Sequence, residues 1–315
     1  MIGANIIIGF YSIPISLLIV ALSPINARAD KIGRPPGLII ELEKSPKYEE
    51  KKVQAHGPLI LDTRKPFEYS MAHFENSYPI RWEDFSQSEE PHRGALDPNI
   101  HVLVRKLQAL GLGKDREVII LGQGTKGIGE EGRIAWMLNY LGFKKIKTVN
   151  FKSFKGKKVF GEAPEIASLP GWTPKPVEGL KIRKSDLEKL IENSEKKTAL
   201  IDVRSPEEFS GNKNKGEKRR GHIPGAINIP WKSFVDGEGE PVSSEVAKEI
   251  LQKHNVNLGS TIIFYSSLGV ESGYATFVAT RAGLNAKNYD GSFWEWADDP
   301  NVEVTMRVSG NVSGD

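Results

Sequence analysis

The 315-residue sequence contains no cysteine. A chain without thiols forms no disulfide, no cysteine-ligated zinc site and no iron–sulfur cluster, because each of these requires cysteine sulfur. A protein-bound persulfide is excluded for the same reason, since a thiolate is the group that attacks and holds the second sulfur atom. The chemistry of this chain therefore depends on its other side chains.

A strong excess of charge is also missing. The formal net charge of +3 at pH 7 is too small to indicate binding to nucleic acid. The six histidines show no spacing typical of a metal site. We therefore expect no nucleic-acid partner, no metal and no cofactor. The hydrophobic fraction of 39% and the charged fraction of 26% are typical of a soluble globular protein, and the length fits two domains.

The N-terminal residues are typical of an export signal. Residues 6–22 form an apolar run, and residues 27–29 read Ala-Arg-Ala, an A-x-A cleavage pattern. No lysine or arginine precedes the run, which departs from the usual pattern. We expect a signal peptide over residues 1–29 and a periplasmic or secreted protein without membrane contact after cleavage. An uncleaved membrane anchor is the alternative.

The rest of the chain contains an internal repeat. Residues 59–64 (LILDTR) and 199–204 (ALIDVR) are short apolar strands that end in Asp-x-Arg, and a proline-initiated segment follows each. Helical patterns alternate with such strands in both halves, which indicates a parallel sheet with helices on both faces. The repeat predicts an α/β protein built from two copies of one small domain.

A proline-rich stretch separates the two copies. Proline fixes the backbone φ angle and removes a hydrogen-bond donor, so the stretch is expected to be a semi-extended linker. The sequence predicts a first domain over residues 30–165, a linker over 166–178 and a second domain over 179–308. A disordered tail is expected over residues 309–315.

One loop of the second copy has the pattern of an anion pocket. It follows a predicted strand over residues 261–265 and precedes a predicted helix over 273–282. Backbone N–H groups between a strand and a helix attract anions. The loop residues are Ser266, Ser267, Leu268, Gly269, Val270, Glu271 and Ser272.

A serine hydroxyl becomes a nucleophile only beside a general base. The G-x-S-x-G pattern of a nucleophile elbow is absent around these serines. A structural role for Ser266 and Ser267, such as helix capping, is therefore favoured over serine catalysis.

Three motifs are more specific than the repeat itself. They read RIAWMLNYLG at residues 133–142, RGHIPGAINIPW at 220–231 and YDGSFWEW at 289–296. Together with the repeat they resemble the rhodanese family, and more closely its two-domain thiosulfate and 3-mercaptopyruvate sulfurtransferases. The resemblance implies tandem rhodanese domains, each a small parallel sheet with helices on both faces. It places the active site in the second domain, facing the first across a cleft.

The active-site loop departs from the family pattern. Active members carry cysteine at the position of Ser266, and mercaptopyruvate-type loops read Cys-Gly-Ser-Gly-Val-Thr where this loop reads Ser-Ser-Leu-Gly-Val-Glu. Glu271 places a carboxylate at the rim of the pocket, which is expected to weaken anion binding by about 1 kcal/mol. In the first copy the corresponding position is Gly122 or Gln123. The G-x-G-x-x-G pattern that starts there lacks the acidic residue of a dinucleotide site.

The resemblance also assigns roles to charged residues outside the loop. It implies that Arg133, Arg219 and Arg220 face the anionic substrate, for which the planar guanidinium is well suited. Surface salt bridges are the alternative for these arginines. A structural role, tying loops to the sheet, is expected for Asp62, Arg64, Asp202, Arg204 and His222.

These observations favour an exported tandem rhodanese-like protein that has lost sulfur transfer. Such a pseudoenzyme is expected to act as a binding or regulatory module for a small sulfur-containing anion or a protein partner. The alternative is a sulfurtransferase with residual or altered activity, or a Cys-to-Ser variant of an active enzyme.

Overall fold

The structure is a computed structural model that describes residues 57–113, 115–165, 172–192 and 198–306. The predicted signal peptide, the first part of the predicted linker and the predicted tail lie outside these residues. Among the helices that the structure describes, none combines the length and apolar character needed to cross a membrane.

The first copy contains one parallel sheet and a small antiparallel pair. The strands are β1 (Leu59–Asp62), β2 (His73–Phe74), β3 (Ser77–Pro79), β4 (Val118–Gly122), β5 (Ile146–Asn150) and β6 (Lys158–Val159). The helices are α1 (Pro66–Met71), α2 (Ile100–Ala109) and α3 (Glu130–Tyr140), with 3₁₀ turns at Trp82–Phe85 and Gly124–Lys126. The parallel sheet has the strand order β3-β1-β4-β5, and β2 pairs with β6.

The second copy repeats this arrangement. Its strands are β7 (Thr198–Asp202), β8 (Ile227–Asn228), β9 (Thr261–Tyr265) and β10 (Ala286–Asn288). Its helices are α4 (Lys184–Glu192), α5 (Pro206–Ser210), α6 (Ser244–Lys253), α7 (Val270–Arg281) and α8 (Ser292–Asp298), with 3₁₀ turns at Glu178–Leu180 and Trp231–Phe234. The four strands are parallel in the order β10-β9-β7-β8. The predicted α/β fold with two parallel sheets flanked by helices is confirmed.

The two copies pack through the helices that follow their central loops. Helices α3 and α7 cross at two glycines, where the backbones approach closely. A Cβ atom on Gly132 would lie 2.3 Å from the Tyr274 ring, and one on Gly273 would lie 3.1 Å from the Arg133 Cα. Only hydrogen fits at the first of these positions. The two predicted domains are therefore held side by side, with their loops near a shared interface.

Each Asp-x-Arg motif forms a buried ion pair at the carboxyl end of a central strand. The Arg204 guanidinium lies 2.6 Å from the Asp202 carboxylate and donates to the Gly221 carbonyl at 2.7 Å. Arg64 makes the matching contact with Asp62 at 2.7 Å. Both aspartates are fully buried, so each guanidinium compensates a charge that water cannot reach.

A buried histidine follows each ion pair. The His222 ring stacks on Phe209 with a centroid distance of 3.7 Å, and its Nδ1 lies 2.8 Å from the Phe209 carbonyl oxygen. His73 stacks on Tyr69 at 4.0 Å and contacts that residue's carbonyl at 3.0 Å. These contacts favour the structural role expected for His222.

Replacement of Arg204 tests the ion pair. Arg204→Met removes the cation and leaves the Asp202 charge buried, so the free energy of unfolding should fall by about 3–5 kcal/mol. Urea unfolding followed by circular dichroism measures this loss. The matched control is Arg81→Met, which breaks a half-exposed pair with Glu83 and should cost at most about 1 kcal/mol. Equal losses in the two variants would contradict the assignment.

Candidate functional site

The loop that the sequence singled out lies at the carboxyl end of β9, between that strand and α7. Helix α7 begins at Val270, three residues before the predicted start, because Gly269 turns the chain into the helix. Gly269 has a φ of 78°, and a Cβ atom there would lie 2.4 Å from the Asp290 carbonyl oxygen. Glycine is required at this position, which fixes the path of the loop.

Ser266 is fully buried inside this loop. Its hydroxyl oxygen accepts the Gly269 N–H at 3.0 Å, and its own N–H donates to the Ser292 hydroxyl at 3.1 Å. The Ser272 hydroxyl lies 3.4 Å from Ser266 Oγ and donates to the Asn288 side-chain oxygen at 2.7 Å. Within the described part of the chain, no histidine or carboxylate contacts the Ser266 hydroxyl, so it has no general base.

The segment of the second copy that contains Glu208, Lys215 and Glu217 covers the Ser266 loop. Ser267 donates to the buried carboxylate of Glu217. The Lys215 ammonium lies 3.1 Å from the Glu271 carboxylate and 3.3 Å from that of Glu208. Burial alone would lower the pKa of Lys215, but the two carboxylates outweigh burial and raise it. The Glu271 charge that the sequence placed at the pocket rim is thus compensated by a cation.

Arg133 supports the loop from the first copy. The side chain is buried, and its guanidinium donates to the Gly269 carbonyl at 3.1 Å and the Gly94 carbonyl at 2.9 Å. Desolvation by burial lowers the pKa of Arg133 to about 10, although Asp290 opposes this shift. Through these contacts Arg133 of the first copy is bound to the Ser266 loop of the second copy. Anion binding by Arg133 stays a prediction.

The other two candidate arginines are in different surroundings. The Arg219 guanidinium donates to four backbone carbonyls around the end of α8, those of Trp296, Ala297, Asp299 and Val302. This arrangement favours a structural role for Arg219, through carbonyls and not through the salt bridge that was the alternative to anion binding. Anion binding by Arg219 stays a prediction. Arg220 is exposed and lines a shallow groove with Glu303 and Met306.

The strand register identifies the matching position in the first copy. Leu121 pairs with Asp62 and Tyr265 pairs with Asp202, so the residue that corresponds to Ser266 is Gly122. The first-copy loop, residues 122–129, is four residues longer than residues 266–269. Its glycines serve close packing: a Cβ atom on Gly124 would lie 2.7 Å from Gly239 of the second copy.

Sequence reasoning missed Glu131, whose side chain packs against Gly122 at the start of the first-copy loop. A Cβ atom on Gly122 would lie 2.2 Å from the Glu131 side-chain carboxyl carbon. One Glu131 carboxylate oxygen is buried without a hydrogen-bond partner among the described residues, and desolvation raises the pKa of this residue to about 8. Comparison of the two copies could have identified this residue, because Glu131 and Glu271 are both the second residue of the helix that follows the loop.

No group of three or more His, Asp or Glu side chains in the described ranges is placed to hold a metal ion. The chemistry of the two loops therefore depends on buried carboxylates, serine hydroxyls and backbone N–H groups.

Comparisons with known proteins agree with the repeat. The sequence profile described as "Rhodanese-like domain" matches residues 45–151 and 184–299. The chain is similar to the sulfur carrier protein TtuD of Thermus thermophilus, with 27% identity over 250 residues, 73% of this chain and 84% of the relative. The crystal structure of Tum1 from Saccharomyces cerevisiae superposes with a TM-score of 0.65 and 19% identity over 79% of this chain and 92% of that one. The crystal structure of YnjE gives a TM-score of 0.70 with 20% identity over 81% of this chain and 64% of that one.

The pKa of Glu131 makes stability depend on pH. The folded state holds the proton more tightly than the unfolded state, whose pKa is near 4.5. The stability that the bound proton of Glu131 contributes is therefore complete below pH 4.5 and is lost as the pH rises towards 8. Glu131→Gln removes this loss, so at pH 8 the variant should be more stable by at least about 1 kcal/mol, or roughly 2 °C in Tm.

Thermal unfolding between pH 5 and 8 measures the effect. The exposed Glu83→Gln serves as the control and should follow the pH dependence of the unmodified protein. Parallel curves for the unmodified protein and Glu131→Gln would show that the folded state does not raise this pKa.

Proposed function

Because this chain belongs to the rhodanese family, with the family domain present twice, we propose that it binds a ligand or partner outside the cytoplasm without transferring sulfur. The ligand class suggested by the family is a small sulfur-containing anion, and a protein partner is the second possibility. In this proposal any regulation is exerted through binding and needs no catalytic step.

The observation that carries this proposal is the identity and environment of Ser266. Sulfur transfer through a covalent intermediate requires a thiolate, which cysteine supplies near neutral pH and serine does not. The Ser266 hydroxyl accepts the Gly269 N–H and has no base beside it among the described residues. Ser266 thus occupies the loop position of the family's nucleophilic cysteine, but it has neither a thiolate nor an adjacent base among the described residues.

The cover over the loop supports the same conclusion. The links from Ser267 to Glu217 and from Glu271 to Lys215 leave the loop residues buried or half-buried. An anionic donor that approached Ser266 would meet the buried carboxylates of Glu208 and Glu271, and the Lys215 ammonium is already paired with both. Like charges at short range oppose the entry of an anion.

The second candidate function is sulfur transfer with residual or altered activity, or an active enzyme whose cysteine has been replaced by serine. The relative named a sulfur carrier protein and the retained loop frame favour it. In a cysteine variant the Gly269 N–H would point at sulfur and lower the thiol pKa.

An assay for thiocyanate formation from thiosulfate or 3-mercaptopyruvate plus cyanide tests these alternatives. The unmodified protein should give no more product than a heat-treated sample. Ser266→Cys should raise the rate at least about tenfold above that background. Ser266→Cys with Glu271→Thr should raise it further, because one of the two carboxylates paired with Lys215 is removed and the loop becomes less negative.

Ser267→Cys is the matched control, since it adds a thiol one residue away, at the position linked to Glu217. It should stay at background. Turnover by the unmodified protein that rises in proportion to its concentration, and that Ser266→Ala abolishes, would refute the proposal.

The proposed export is tested on the mature protein. Cleavage after residue 29 predicts a chain that begins at Asp30, because Ala-Arg-Ala precedes it. Intact mass measurement of protein recovered from the periplasm or medium of a bacterial host identifies this N-terminus. Ala29→Arg should block cleavage, whereas Asn26→Gln should leave it unchanged. A full-length chain in the cytoplasmic fraction would contradict export.

A further inference from the structure

The two copies differ at the carboxyl edge of their sheets. In the first copy His73 follows its stacking partner Tyr69 by 4 positions, whereas in the second copy His222 follows Phe209 by 13. The additional residues of the second copy belong to the segment that covers the Ser266 loop. Among the described residues the first copy has no counterpart of this segment, so its edge presents a different surface.

An open cavity of about 820 Å³ lies at this edge of the first copy, and we call it the first-copy pocket. Its lining comes from the segments that follow three parallel strands, residues 63–68 after β1, residues 81–83 after β3 and residues 123–130 after β4. Ligands of α/β proteins commonly bind at the carboxyl ends of parallel strands, and a cavity of this volume suits a small organic ligand.

The charged side chains that line the pocket balance one another. Two of the cations already have a counter-charge, because Arg64 is paired with the buried Asp62 at 2.7 Å and Arg81 is paired with Glu83 at 3.0 Å. The remaining charged groups of the lining are two cations and two carboxylates: Lys65, Lys126, Glu68 and Glu130. The pocket therefore favours neither a simple anion nor a simple cation.

Both lysines are available to a ligand. Lys65 and Lys126 are exposed, and in the described part of the chain neither forms an ion pair with a carboxylate. An ammonium group without a counter-charge can bind a ligand carboxylate through a charge-assisted hydrogen bond.

The two carboxylates are held by neutral donors and so keep their charge. Glu68 accepts a hydrogen bond from the Gln123 amide at 2.9 Å, and Glu130 accepts the Ile128 N–H at 2.8 Å. A neutral donor fixes the position of a carboxylate without removing its negative charge. Both groups therefore attract the ammonium group of a ligand.

One loop presents a cation, an apolar side chain and a carboxylate together. Lys126, Ile128 and Glu130 lie in or directly after the first-copy loop of residues 122–129, which is four residues longer than its counterpart. The Glu130 carboxylate lies against this loop, since a Cβ atom on Gly127 would be 2.6 Å from its oxygen. Opposite charges four positions apart, with an apolar residue between them, suit a ligand that also carries both charges.

The apolar part of the pocket is open to solvent. Phe67 is 75% exposed and Ile128 is 43% exposed, although both are large hydrophobic residues, and Trp82 is half-buried. Exposed apolar surface bounded by polar groups is typical of a binding site. A ligand that covers these side chains gains the free energy of removing their surface from water.

We propose that the first-copy pocket binds a zwitterion, a free amino acid or short peptide that carries an ammonium group, a carboxylate and an apolar side chain. The ligand carboxylate binds at Lys126, the ligand ammonium binds at Glu130, and the apolar side chain covers Phe67 and Ile128. This site goes beyond the proposed function, because it lies in the other copy and takes a different class of ligand.

Calorimetric titration of the full chain with the dipeptide leucylphenylalanine tests the proposal. Saturable binding is expected, with at least about tenfold weaker binding of three analogues. The N-acetylated dipeptide lacks the ammonium group, the dipeptide amide lacks the carboxylate, and diglycine lacks the apolar side chains. Free phenylalanine carries all three groups. Tighter binding of phenylalanine than of the dipeptide would assign the pocket to free amino acids and the reverse order to peptides, and either order supports the proposal.

Two variants identify the partner of each ligand charge. Lys126→Gln should weaken binding of leucylphenylalanine at least about tenfold but leave binding of its amide unchanged, because the amide has no carboxylate to lose. Glu130→Gln should weaken binding of the dipeptide by the same factor but leave binding of the N-acetylated form unchanged. Lys126 is exposed, and glutamine at position 130 keeps an oxygen acceptor for the Ile128 N–H, so both variants should fold.

Matched control changes are available on α6 of the second copy. Lys253→Gln and Glu249→Gln remove the same charges at exposed residues, and both should leave every affinity unchanged. The proposal is overturned if leucylphenylalanine does not bind saturably or if the amide or the N-acetylated form binds as tightly as the dipeptide. It is also overturned if Lys126→Gln and Glu130→Gln leave the affinity for the dipeptide unchanged.

The titration is independent of the sulfur-transfer assay. Turnover by the unmodified protein would refute the loss of transfer and leave the pocket titration unaffected. Binding that Lys126→Gln and Glu130→Gln leave intact but Glu271→Thr abolishes would place the ligand at the second-copy loop, and would overturn the pocket assignment alone.

Discussion

A buried guanidinium at the end of one central strand fixes the ligand-binding edge of each sheet. Arg64 and Arg204 each neutralise the aspartate two residues earlier, and both aspartates are fully buried. The guanidinium also holds the carbonyl of the segment that returns to the sheet. Because a buried charge without its partner is costly, this contact determines where the strand ends and where the neighbouring loop begins. Both candidate sites are built on that fixed edge.

The two copies also depend on each other, because each contributes to the other's loop. Arg133 of the first copy donates to the Gly269 carbonyl of the second. Asn150 of the first copy donates to the Glu240 carboxylate and the Glu238 carbonyl of the second. The crossing of α3 and α7 at glycines brings the copies close enough for these contacts. The second-copy loop is in addition covered by a segment of its own copy, through Lys215 and Glu217.

Much of the architecture could be predicted from the residues. Strand β9 occupies the expected residues 261–265, because a short apolar run is typical of a strand that is buried on both faces. Helix α7 begins earlier than expected, because the left-handed Gly269 starts it. The contacts between Lys215 and Glu271 and between Ser267 and Glu217 join residues 50 or more positions apart, and no local pattern encodes such pairs.

The repeat, the family and the absence of a thiol could be established without a structure, since they follow from the order and identity of residues. It also located the loop at Ser266. The cover over the loop, the contacts of Arg133 with carbonyls and the packing of Glu131 against Gly122 became visible only in three dimensions. Burial, ion pairing and pKa values depend on which distant groups the fold brings within a few ångströms. The strength of each electrostatic interaction also depends on how completely water is excluded from it.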